Sequence, residues 1–187
     1  VTGSGSILGS STSFPTVTAT YTVNPGDVGG QVRLRLTTND PDGGGNCVPA
    51  SDDILISIDR RPIVTLGPDY TVCEPSSISL TGALSGSATS GVWSLLQGTG
   101  TLSASSVTGS NVTASYTPSP ADVTTTVRFR LTSNASGVCA AGFDEINILI
   151  NRAPVVSAGP DVEVCESQLS IILSGSSGGS TSSVTWS

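Results

Sequence analysis

Four cysteines carry most of the reactive chemistry in this chain: Cys47, Cys73, Cys139 and Cys165. They lie too far apart in sequence for a zinc site, which takes close cysteine pairs. In an exported, oxidising setting such thiols pair as disulfides. Two carboxylates, Asp40 and Asp42, stand beside Asn39 and Asn46 and could coordinate calcium, a hard ion that takes several oxygens. A solvated turn is the competing reading, because the matching stretch Asn134-Ala135-Ser136-Gly137 has no carboxylate. Arginines come as Arg33/Arg35 and Arg128/Arg130, and acids as Asp52/Asp53 and Asp144/Glu145. Neighbouring residues on a strand point to opposite faces, so neither acidic pair is a catalytic dyad. Their expected task is to meet the arginines across strands, each contact contributing roughly 0.2–1 kcal/mol. Anion or polysaccharide capture is the other reading of the arginines, and a sugar platform the other reading of Trp93 and Trp186.

The missing residue types exclude as much as the present ones suggest. The chain has no histidine and no lysine, and its formal net charge is −7. Without histidine the commonest general base and metal ligand is gone. Without lysine there is no Schiff base and no Lys–Asn cross-link. Serine and threonine abound, but none has a base to activate it. An enzyme is therefore not expected, and neither is a cofactor. So acidic a chain offers no footprint for nucleic acid or an anionic membrane. No apolar run approaches a transmembrane length, so membrane insertion is not expected either.

What positions these residues is a long internal repeat. GPDYTVCEP from Gly67 returns as GPDVEVCES from Gly159, with Cys73 answered by Cys165. Trp93 is answered by Trp186, Cys47 by Cys139, and QVRLRLTTND from Gln31 by TVRFRLTSNA from Thr126. ATYTVNPGDV from Ala19 matches ASYTPSPADV from Ala114, and ILISIDRRPIV from Ile54 matches INILINRAPVV from Ile146. A period of 92–95 residues suits tandem copies of a small domain rather than a solenoid. The expected division is 1–62, the C-terminal part of one repeat; 63–154, a complete repeat; and 155–187, the N-terminal part of the next. The two ends fall at the same point of the cycle, as expected of a piece of something longer.

Within each repeat, short Val- and Ile-rich runs alternate with polar residues between Gly, Ser and Thr turns. That pattern predicts an all-β immunoglobulin-like sandwich of about seven short strands. Val32, Leu34 and Leu36 are expected inside, with Arg33 and Arg35 in water. Trp93, Trp186, Tyr21 and Tyr116 are expected in cores, with Val127, Phe129, Leu131, Ile146 and Ile148 around Trp93 and Tyr116. Arg60-Arg61-Pro62 and Arg152-Ala153-Pro154 mark junctions without a flexible linker.

The ensemble GPD-x(3)-C-E, then x-W-S, then x-Y-T-P-x(2)-A-D resembles the Ig-like/PKD-like repeats of giant surface proteins of Bacteroidota. The gliding-motility adhesins secreted by the type IX route are the nearest such family. The first repeat departs from it, with YTVNPGDV where the second has YTPSPADV. The resemblance implies stalk or filament material outside the cell, at its surface. A carbohydrate- or calcium-binding adhesion module, with surface glycans as partner, is the alternative.

In such a sandwich the first strand is expected to begin at the pole of the last loop, so Cys73 should bond Cys139 inside the domain. Free buried thiols are the alternative. Residues 159–187 are the strands that 1–62 lack, so each should complete the other between neighbouring copies or repeats, head to tail. Cys165 would then bond the neighbour's Cys47. Either one continuous polypeptide or strand-exchanging subunits would give that array.

Overall fold

The computed structural model describes residues 2–13, 15–168 and 170–187. They form two compact units. The first comprises Val1–Ile63 with the segments Ser85–Ala88 and Asn134–Gly142. The second comprises Val64–Leu84, Thr89–Ser133 and Phe143–Ser187.

Two antiparallel hairpins build the first unit. One joins β1 (Ser6–Ser13) to β2 (Thr16–Thr22), and the other joins β3 (Gly30–Thr37) to β4 (Ser51–Ile58). A bulge interrupts β1 between Leu8 and Ser10, where Gly9 takes a left-handed φ of 55°. Period-2 alternation puts Val32 fully inside, yet Leu36 and Ile54 remain 60% and 61% exposed. Apolar faces of both hairpins thus line an open groove, with Val17, Ala19, Leu34 and Ile56 along it. This is half of a sandwich core.

The second unit holds a whole one. Its strands are β5 (Pro62–Thr65, of which Val64 and Thr65 lie in this unit), β6 (Tyr70–Cys73), β7 (Ile78–Gly86) and β8 (Gly91–Gln97). Next come β9 (Thr101–Leu102), β10 (Ser106–Thr108), β11 (Asn111–Thr117), β12 (Thr126–Ser133) and β13 (Phe143–Asn151). One sheet runs β10-β11-β7-β5 with β9 also on β11, and the other runs β6-β13-β12-β8. Strand β11 alternates buried and exposed residues throughout, and β7 does so from Ile78 to Ser85, as a half-buried strand must.

The two inner faces meet in a dry core. Ile78, Leu80, Val112 and Tyr116 come from one sheet, and Trp93, Phe129, Leu131 and Ile148 from the other, none more than 4% exposed. The rings of Tyr116 and Phe129 meet edge to face with centroids 4.9 Å apart. The indole N–H of Trp93 donates to the carbonyl of Val112 at 3.1 Å, tying the sheets together.

Between β5 and β6 the chain leaves one sheet for the other through Gly67-Pro68-Asp69. Asp69 fixes that crossing by accepting the Asn147 backbone N–H at 2.8 Å and its side-chain amide at 3.0 Å. The Leu66 N–H donates to Asp144 at 2.9 Å. β6 then pairs parallel with β13, from Tyr70 opposite Ile148 to Cys73 opposite Asn151. Two packed sheets whose first strand is shared between them make an immunoglobulin-like β-sandwich.

Beyond it, β14 (Val155–Ser157) and β15 (Ser176–Gly178) make a small antiparallel pair. Trp186, expected in a core, is 58% exposed here. Among the described residues from 159 on, no strand of the kind of β11 to β13, which cover Trp93, stands over it. Tyr21, also expected in a core, is half-buried.

Candidate functional site

The most constructed polar site is a corner that occurs twice. In the second unit the Tyr116 hydroxyl donates to Asp122 Oδ2 at 2.7 Å, and the Ser119 N–H donates to the same oxygen at 2.8 Å. The other oxygen accepts the N–H and hydroxyl of Thr99 at 2.7 and 2.9 Å. Tyr116 Oη in turn accepts the Gly100 N–H at 2.8 Å. In the first unit Tyr21, Asp27, Asn24, Ser4 and Gly5 repeat this arrangement bond for bond.

Local sequence explains the corner. Ser119-Pro120 and Asn24-Pro25 open short 3-10 turns with a capping side chain, a proline in the first turn and an aspartate at the third position. A Cβ on Gly100 would meet the Thr117 carbonyl, so only glycine lets these backbones approach. Burial opposes ionisation of Asp122, but the donors from Ser119, Tyr116 and Thr99 outweigh it and hold the carboxyl at about 2. Burial, with the Asp122 hydrogen bond added, pushes the Tyr116 hydroxyl up to about 12. The amides of Ser4 and Asn24 and the Tyr21 hydroxyl hold Asp27 well below the usual carboxylate range. A carboxylate so fully supplied with donors is a structural pin, with no free oxygen for chemistry. Sequence reading matched these residues between repeats without seeing the network, although the Asn/Ser-Pro-x-Asp capping pattern signals it.

The arginine pairs sit as expected. Arg33 and Arg35 both reach Asp53, at 2.5 and 2.8 Å, while Arg128 reaches Glu145 at 3.0 Å and Arg130 bonds the same carboxylate. Arg130 also lies over the Phe143 ring, 4.4 Å from its centroid. Hydrogen bonds from Arg35 and Arg33 hold Asp53 well below its ordinary range.

Asp40 and Asp42 are engaged within their own loop. Asp40 accepts the N–H groups of Asp42 and Gly43, and Asp42 that of Cys47 at 3.1 Å. Among the described residues no group of three or more His, Cys, Asp or Glu side chains comes together to hold a metal ion. Trp93 is 4% exposed, so its ring offers no platform to a sugar.

The cysteines depart from expectation. All four are free thiols; Cys47, Cys73 and Cys165 are exposed and Cys139 half-buried. The Cys73–Cys139 bond expected inside the domain is not formed. For Cys73 the reason is strand direction. It ends β6 beside Asn151, at the C-terminal end of β13, whereas Cys139 precedes the N-terminal end of that strand. Phe143 to Asn151 alone covers about 26 Å at 3.3 Å per residue, several times the Cα span a disulfide tolerates. Cys139 instead lies in the Asn134–Gly142 segment of the first unit. There Ser136 and Cys139 close a narrow bridge, the Val138 N–H donates to Asp59 Oδ2 at 3.3 Å, and Cys139 Sγ stands 3.9 Å from the Asp59 carbonyl oxygen. Hydrogen bonds from the Ser167 side chain and amide hold the Cys165 thiol below its ordinary range.

No family model and no curated protein matches this chain. Solved structures that resemble it include a chimeric titin Z1Z2 functionalized with a peptide from decorin, at 14% identity and a TM-score of 0.37, covering 51% of this chain and 99% of that one. A titin Z1Z2-Z1Z2 tandem matches at 13% identity and 0.37, over 66% and 93%. The PKD domain from human KIAA0319 matches at 15% identity and 0.33, over 56% and 91%. The fold assignment rests on strand order and register, which stand without these resemblances. No helix of the described residues is long and apolar enough to cross a membrane.

Proposed function

We propose that this chain is a structural stalk or filament stretch of an extracellular bacterial surface protein of adhesin type, with repeats arrayed head to tail. The observation that carries the reading is duplication down to the register. Gln31 faces Ser57 and Arg35 faces Asp53, just as Thr126 faces Leu149 and Arg130 faces Glu145. A second copy of a whole domain, pinned by the same Tyr–Asp corner, suits a protein that gains length rather than chemistry. The open groove of the first unit supports the head-to-tail part of the reading. It presents the inner face of a sandwich, and its complement is a strand set of the 159–187 kind from a preceding repeat or another copy. The sequence resemblance to Bacteroidota surface repeats supplies the cell-surface setting.

An antibody raised against the chain tests this. It should label intact, unpermeabilised cells of the source bacterium and recognise, on a reducing gel, material far heavier than 18.7 kDa for one continuous polypeptide or a band near it for exchanging subunits. Labelling only after permeabilisation would overturn the proposal. Binding on a glycan array, or a calcium-dependent rise in melting temperature, would replace the stalk with an adhesion module.

A further inference from the structure

Asp59 and Asn151 occupy the same place in successive repeats, 92 residues apart at the end of ILISID and INILIN. Asn151 shows what a complete repeat puts there. Cys73 lies opposite it in the parallel β6–β13 pair, and its carbonyl accepts the N–H of Glu74, the next residue, at 2.8 Å. The hairpin β3–β4 keeps the register of β12–β13, so β4 has the same slot for a first strand along its outer edge. Among the described residues the slot is empty, because β3 and β4 form a two-stranded sheet. Filled in the same way, it would bring a cysteine opposite Asp59 and the following amide onto the Asp59 carbonyl. That oxygen is the atom 3.9 Å from Cys139 Sγ.

From this coincidence we infer that the disulfides of the array run between consecutive repeats: the last-loop cysteine of one repeat, Cys139, bonds the first-strand cysteine of the repeat before it. The inference rests on the head-to-tail reading above. The incoming strand has the sequence Val162-Glu163-Val164-Cys165-Glu166, which matches Tyr70-Thr71-Val72-Cys73-Glu74. Cys139 is thus the partner of Cys165 from another copy, or of the equivalent cysteine upstream in a continuous chain. By the same rule Cys73 bonds the last-loop cysteine of the following repeat, the position that Cys47 fills. The free thiols follow directly, since each cysteine's partner lies in a part of the array outside this chain. Each bond forms by thiol–disulfide exchange. A disulfide-bearing oxidoreductase of the export route takes up two electrons and two protons, leaving as a dithiol, while the two cysteine thiols become one S–S bond.

The test is a non-reducing peptide map of the intact protein isolated from the cell surface, with free thiols alkylated first. Peptides carrying Cys139 should be cross-linked to a first-strand Val-Cys-Glu peptide of the preceding repeat, and Cys73 to a Cys47-type peptide. Cross-links Cys73–Cys139 and Cys47–Cys165 would overturn this pairing while leaving the head-to-tail array standing. Quantitative alkylation of all four cysteines would overturn the disulfides altogether. Absence of surface labelling in the antibody experiment would instead remove the array itself.

Discussion

Tyr116→Phe isolates the corner with little change in shape. The ring stays in a site where Tyr116 is 0% exposed, so packing against Phe129 is kept. Two hydrogen bonds go. One is donated to an ionised carboxylate, a class that contributes about 1.5–3 kcal/mol. The other leaves the half-buried Gly100 N–H without its acceptor. Asp122 keeps its donors from Ser119 and Thr99, so no charge is stranded. The expected loss is about 2–3 kcal/mol, read from urea unfolding as a lower midpoint at unchanged slope. Acid provides the second readout. Asp122 is held at about 2 in the fold, against about 3.9 unfolded. A depressed carboxyl stabilises above its unfolded value, and that stability drains as pH falls towards 2. The variant has less of it to lose, so the gap between wild type and Tyr116→Phe should narrow from pH 4 to pH 2. A neutral-pH loss below about 0.5 kcal/mol, or a gap indifferent to acid, would refute the corner as a structural pin.

Trp93→Ala removes the indole that bridges the sheets and should cost about 3–5 kcal/mol in the same unfolding assay, as large core truncations do. An effect under about 1 kcal/mol would contradict its placement in the core. Glu145→Gln takes the shared anion from Arg128 and Arg130 at a partly exposed site. It should cost about 1 kcal/mol or less, and the difference should vanish in 1 M salt, where screening acts within about 3 Å.

The strands were legible because alternation is local. Val127, Phe129 and Leu131 announce a buried face, and the arginines between them a wet one. The ion pairs were legible too, since cross-strand neighbours follow once the hairpin is drawn. The direction of the first strand was not. Nothing in Tyr70–Cys73 itself says that it runs parallel to β13; the Gly67-Pro68-Asp69 crossing decides that, through bonds between Asp69 and Asn147. Placing the start of the first strand at the pole of the last loop put Cys73 at the wrong end of the sandwich. Trp186 was misplaced for a different reason. Recurrence at a core position identifies the position, but burial belongs to the partner strands, and those lie outside residues 159–187.

The parallel β6–β13 pair has a mechanical consequence. The chain enters the sandwich through β5, crosses into β6 and leaves through β13, with β6 and β13 running the same way. In the head-to-tail array proposed above, tension that passes the β5 crossing pulls the two strands past each other along their length. The rungs from Tyr70–Ile148 to Cys73–Asn151 then bear the load together and must fail together, whereas strands peeled from one end break one rung at a time. Such a pair works as a shear clamp.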